Sequence, residues 1–178
     1  MKLRGVLAAA AVAVFFVSAV DAHGPTRQRA EATVEINAPA DKVWAVVGDF
    51  GNMDWHPSVV ETRIEGAGTD DAVRTLVLES GDTIVEEIRR HDDERMTYAY
   101  RATEFEWDVL PVSNYTGNIT VTENDDGTST VLWRAAFTRA EQQNDPPEHL
   151  NEDAAHAAIN ALYEEGLAGL KEQIEGAR

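Results

Sequence analysis

The chain has 178 residues, with 15 Lys plus Arg against 32 Asp plus Glu, a formal net charge of −17 and no cysteine. So large a negative excess repels a phosphate backbone over most of any surface, and no run of the sequence is basic enough to overcome it, which excludes nucleic acid as a partner. Lack of cysteine excludes a disulfide framework, a thiol nucleophile, a thiolate metal site and covalent haem attachment.

Residues 1–22 read as a secretory signal peptide. Lys2 and Arg4 form a basic start, and Val6 to Val20 is an uncharged run rich in Ala, Val and Phe. That run is shorter than the roughly 18 to 20 apolar residues a transmembrane helix needs. Val20-Asp21-Ala22 places small residues at the −3 and −1 positions of a cleavage site, and Val17-Ser18-Ala19 is a second candidate. The reading is therefore a periplasmic or secreted protein with no membrane attachment after cleavage, and a single mature domain over residues 23–178. Loss of Lys2, Arg4 and Asp21 makes the exported chain slightly more acidic than the whole.

In chain order, Ala32, Val34 and Ile36 alternate with Thr33, Glu35 and Asn37, the pattern of a strand with one buried face. Ala38 to Val47 turns helical, with Pro39 suited to a first turn, Asp41 at the positive end of the dipole, and Val43, Trp44 and Val47 as an apolar stripe. Gly48 and Gly51 close it, and Asp49 to His56 predicts a short second helical turn ended by Pro57. Strands are predicted over 59–65, 73–79, 83–90, 95–103, 115–123 and 128–138, separated by hairpin turn chemistry such as Asn124-Asp125-Asp126-Gly127. A polar loop at 141–147 precedes a long amphipathic helix over 148–174, whose stripe is Ala155, Ile159, Leu162, Gly166, Leu167, Leu170 and Ile174. These elements define an α+β class in which a curved antiparallel sheet wraps a long C-terminal helix, with a cavity between them.

Three stretches carry a resemblance. Ile36-Asn37-Ala38-Pro39-Ala40-Asp41-Lys42-Val43-Trp44 resembles the opening of the START/SRPBCC superfamily, whose fold is the helix grip. Asp49-Phe50-Gly51-Asn52-Met53-Asp54-Trp55-His56-Pro57 is similar to the helix-pair segment of that superfamily. Leu110-Pro111-Val112-Ser113-Asn114-Tyr115, followed by Val131-Leu132-Trp133-Arg134-Ala135-Ala136-Phe137, resembles its polyketide cyclase/dehydrase-like branch. With the leader and His23-Gly24-Pro25, the chain looks most like the MxaD-type periplasmic proteins associated with methanol dehydrogenase. That resemblance implies a non-catalytic accessory role in periplasmic methanol oxidation, assisting the dehydrogenase with its cytochrome c. The broader resemblance implies a cavity for a hydrophobic small molecule, or alternatively a cyclase or dehydratase acting in that cavity through His56, Tyr98 or Glu86.

Strand alternation points Met96, Tyr98 and Tyr100 inward, together with Tyr115, Gly117, Ile119 and Val121, and with Val131, Trp133, Ala135 and Phe137. Arg74 and Glu86 each interrupt an apolar face; either they pair on neighbouring strands inside the cavity, or they lie in water at a sheet edge. Trp55, His56, Phe105 and Trp107 fall in loops or at element ends, where aromatic residues mark a pocket mouth or a partner surface unless they simply cap the core. His56 has no carboxylate or nucleophile at a fixed offset, so the residues alone define no catalytic set. His23, as a new amino terminus, would need a second histidine to hold copper, and His91, His149 and His156 are scattered, so neither a metal nor another cofactor is expected.

Overall fold

The structure is a computed structural model and describes residues 24–176. The expected signal peptide and the terminal His23 lie outside the described residues. The element order is β1 (Gln28–Ile36), α1 (Ala40–Val47), β2 (Val59–Glu65), β3 (Val73–Leu78), β4 (Thr83–Asp92), β5 (Thr97–Glu104), β6 (Val112–Glu123), β7 (Ser129–Arg139), a 3-10 turn (Glu148–Leu150) and α2 (Glu152–Gly176). The seven strands form one antiparallel sheet in the order β1-β7-β6-β5-β4-β3-β2. A meander thus runs from β2 to β7, and the first strand closes against the last, with Ala32 opposite Trp133. Long α2 lies across the inner face and buries Ala155, Ile159, Tyr163, Gly166, Leu167 and Leu170. This is the curved sheet gripping a terminal helix that the element pattern predicts.

Local chemistry explains where boundaries differ from the periodic pattern. β1 begins at Gln28, before the alternation becomes clear, because β7 is long enough to pair it from Phe137 onward. The segment after α1 forms turns instead of a helix: Asp49 Oδ1 accepts from Gly51 N–H at 2.9 Å and Asn52 Oδ1 from Asp54 N–H at 3.0 Å. Such side-chain acceptors compete with helical bonding. Met96 is not on the concave face of β5; it sits in the β4–β5 turn with φ of 47°. The final helix does not run unbroken from Glu148. Asn151 is extended, and its side chain accepts from Ala154 N–H at 2.9 Å, the geometry of an N-cap that starts α2 at Glu152.

Both ends of α2 are fastened to the sheet. At its start Glu152 pairs with Arg139 at the end of β7. Near its end, Lys171 Nζ donates to the Glu35 carbonyl at 2.6 Å, and Glu175 accepts from Asn37 N–H at 2.7 Å. Two small residues let the helix approach closely. A Cβ on Gly166 would lie 2.6 Å from the His56 ring, and one on Gly169 would meet Trp55 and Pro57. No helix among the described residues is long and apolar enough to cross a membrane.

Candidate functional site

Strands β3 and β4 pair with Arg74 opposite Glu86, and alternation turns both side chains inward. Arg74 is fully buried, and its Nε–H donates to Glu86 Oε2 at 2.6 Å. Nη1 donates to the Phe50 carbonyl at 3.1 Å. The guanidinium carbon stands 4.2 Å from the Phe50 ring centroid and 5.1 Å from that of Tyr100, so aromatic faces complete its solvation. Burial pulls the arginine toward losing its proton, but the Glu86 charge and hydrogen bond outweigh it and keep the group cationic. Burial likewise pushes the Glu86 carboxyl up, with Arg74 opposing it. Among the described residues, Arg74 Nη2 and the Tyr98 hydroxyl have no partner at normal hydrogen-bond distance, although they lie near enough for Arg74 to oppose the upward push of burial on the Tyr98 pKa.

Beside the ion pair runs a chain of hydroxyls. Trp133 Nε1–H donates to Tyr100 Oη at 3.0 Å; Tyr100 and Tyr115 hydroxyls are 3.0 Å apart, Tyr115 and Tyr163 2.9 Å, and Tyr163 donates to the Arg134 carbonyl at 3.3 Å. An indole can only donate and a carbonyl only accept, so the proton order is set: Tyr100 donates to Tyr115, and Tyr115 to Tyr163. Burial raises the pKa of all three tyrosines and holds them neutral. Trp133 also stacks on Tyr163, with ring centroids 4.1 Å apart and planes 10° from parallel. Tyr100 can lie flat against the sheet because its neighbour in register on β6 is Gly117, where a Cβ would collide with its ring.

His56 closes the site from the loop after α1. Its Nε2 lies 3.0 Å from the Leu162 carbonyl and its Nδ1 accepts from Ser58 N–H at 3.3 Å, an arrangement that defines the neutral Nε2–H tautomer. Burial lowers its pKa, against the Leu162 bond and the Glu165 charge. Between sheet and helix remains a cavity of about 10 Å³. That is close to the room one water needs.

Of the residues singled out from the sequence, His56, Arg74, Glu86, Tyr100, Tyr115 and Trp133 line this cavity. Tyr98 and Trp55 adjoin it, Trp55 standing edge-on to Trp133 at 5.5 Å. Phe105, Trp107 and Phe137 are not brought to it. Phe105 and Trp107 lie on the β5–β6 connection against a surface hollow shared with Leu150, and Trp107 is 44% exposed. Phe137 is core, far enough along β7 to pack on His156 near the start of α2. Pattern reading missed Tyr163, although it continues the Ala155–Ile159 spacing by four; an apolar-stripe criterion passes over a tyrosine. It also missed Met53 and Val59 as lining. Among the described residues no group of three or more potential ligands could hold a metal ion.

Fold and interior together define a helix-grip protein with a polar centre walled by aromatic rings. The sequence matches the family described as "Polyketide cyclase / dehydrase and lipid transport" over residues 27–175, and the chain belongs to that family. Among solved structures it is similar to an uncharacterised protein from Bacillus thuringiensis (26% identity, TM-score 0.70, covering 83% of this chain and 98% of that one). It is also similar to the protein XoxI from Bacillus cereus (26% identity, TM-score 0.69, 82% and 94%). The Zhui aromatase/cyclase from a Streptomyces species shares the fold at 23% identity (TM-score 0.61, 85% and 93%). No relative was found among curated proteins.

Proposed function

We propose that this protein binds a small, mainly aromatic molecule bearing an acceptor oxygen, held between Arg74, Tyr98 and the tyrosine chain, and that it does so as a secreted binding protein. The observation that carries this reading is that Arg74 Nη2 and Tyr98 Oη, close to each other, lack a partner at normal hydrogen-bond distance among the described residues, in a cluster that is otherwise satisfied. A buried polar group without a partner costs about 1–3 kcal/mol, so a ligand oxygen accepting from both recovers that energy on binding. Neighbouring rings of Phe50, Tyr100 and Trp133 favour a flat apolar body. The resting cavity is about 10 Å³, so occupancy requires the half-buried side chains between Leu162 and Val59 to swing aside or α2 to shift. Both His56 nitrogens are engaged and the tyrosines are neutral, which supports binding over proton transfer.

Titration with 1-naphthol, followed by tryptophan fluorescence and thermal shift, tests the reading. Saturable binding weakened at least tenfold in Tyr98→Phe is the expected result; no response from wild type sinks it. Turnover of an aromatic polyketide-like substrate, lost in both His56→Ala and Glu86→Gln, would replace it with the cyclase or dehydratase reading. The physiological setting we infer is periplasmic methanol oxidation, supported by the leader and by the Phe50-Gly51-Asn52-Met53 to Trp55-His56-Pro57 stretch. Adding the mature protein to methanol dehydrogenase and its cytochrome c should then speed cytochrome reduction; an unchanged rate removes that setting.

A further inference from the structure

The outer face of the sheet, opposite α2, gathers positive charge that the rest of this acidic chain lacks. In register across β1, β7, β6, β5 and β4 runs a row of Arg29, Ala136, Thr116, Arg101 and Glu87. The next row is Glu31, Arg134, Asn118, Ala99 and the β4 bulge at Arg89 and Arg90. Arg27 reaches over the same floor, donating to Thr116 Oγ1 at 3.1 Å and to the carbonyls of Asn114 and Ala136. Small side chains in the middle leave a hollow of about 670 Å³ whose charged lining is Arg29, Glu31, Arg89 and Arg134, with Arg101 one strand beyond Thr116 at its edge. Glu31 pairs with Arg134 and Glu87 with Arg89, whereas Arg29 and Arg101 have no carboxylate within ion-pair distance among the described residues.

We infer that this arginine-rimmed hollow is a docking surface for an extended acidic segment of a partner polypeptide. Guanidinium forks match carboxylates in geometry as well as charge. Size selects the occupant. Five strands spaced about 4.8 Å apart make the face about 19 Å wide, which six extended residues at about 3.3 Å each span. The chain as a whole carries −17, so the surface beyond the patch is strongly acidic. With a Debye length of about 8 Å at physiological salt, a segment confined to the hollow feels the arginines, while a long polyanion or an anionic bilayer extends onto repelling surface.

Fluorescence anisotropy of a fluorescein-labelled hexaglutamate peptide against the full chain, at low and at moderate salt, tests this. Saturable binding at low salt is expected, falling at least tenfold in Arg29→Glu/Arg101→Glu and falling again as salt rises. Arg63→Glu, an exposed arginine on β2, should change it less than twofold. Arg29→Gln/Arg101→Gln, checked by thermal unfolding, keeps the test decisive should the charge reversal disturb folding. Absent binding at low salt, or binding indifferent to both double variants, overturns the inference. So does displacement by citrate or inorganic phosphate at equal concentration, which would mark a small-anion site, and so does tighter binding of duplex DNA or anionic vesicles through the same residues. Interior binding of 1-naphthol should persist in every one of these variants, so this surface and the cavity fail or stand separately.

Discussion

Arg74 is the residue on which the interior depends. Its charge is fully buried and answered by Glu86 alone among the described carboxylates, so removing one partner strands the other. Arg74→Met should cost about 3–5 kcal/mol, whereas Arg74→Met combined with Glu86→Leu should recover much of it, as measured by urea unfolding of wild type and the two variants. The charged positions of this pair could be seen in the alternation of β3 and β4, but their meeting stood only as one of two alternatives, because a shift of one residue in register would have sent both to water. His56 sets a pH response. Its folded-state pKa lies below the usual 6.5, so the folded protein takes up a proton less readily than the unfolded chain. Its contribution to stability is therefore complete above about pH 6.5 and is lost as pH falls from there through the lowered value. Glu86, raised by burial, works in the opposite sense above its usual 4.5. Subtracting the unfolding free energies of His56→Gln from those of wild type between pH 7.5 and 5 isolates the histidine, and the difference should shrink on acidification.

At the scale of elements, α2 is positioned by what it lacks. Alanine is a better helix former than glycine by about 1 kcal/mol, yet Gly166→Ala should destabilise by about 1–3 kcal/mol, because the new methyl must displace His56 and Trp133. A lower urea midpoint at constant slope would show it; a gain in stability would mean that the helix and sheet are not in close contact. Asn151→Ala, which removes the cap of α2, should cost about 0.5–2 kcal/mol in the same measurement. Among the described residues, the seven strands and two helices could be read from apolar periodicity, since burial of one face imposes a period of two or 3.6 on the sequence. The ends of β2 could be read as well, but those of several other elements could not. β1 extends to Gln28 because a partner strand waits there, and Asp49 to His56 forms turns because two side chains cap it locally.

For the whole molecule the dominant quantity is charge. A net −17 in a chain of 178 residues opposes compaction, so the thermal midpoint should rise as NaCl is raised from about 10 mM to a few hundred millimolar, with calorimetry as the readout. A falling midpoint would mean that ion pairs such as Arg139–Glu152 outweigh the global repulsion. The amino-acid sequence by itself determined the acidity, the absence of thiol chemistry and the alternation that makes one sheet around one helix. Tertiary structure decided what sequence order could not: that Tyr163 from α2 completes a hydroxyl chain running from Tyr100 on β5 through Tyr115 on β6, that the cavity is narrowed to about 10 Å³ by rings from distant elements, and that arginines scattered from position 27 to 134 share one face. The physical reason is common to all three. Periodicity records which face of an element is buried, a local property, whereas a site is made where faces from distant elements converge, and that is settled by register and close packing.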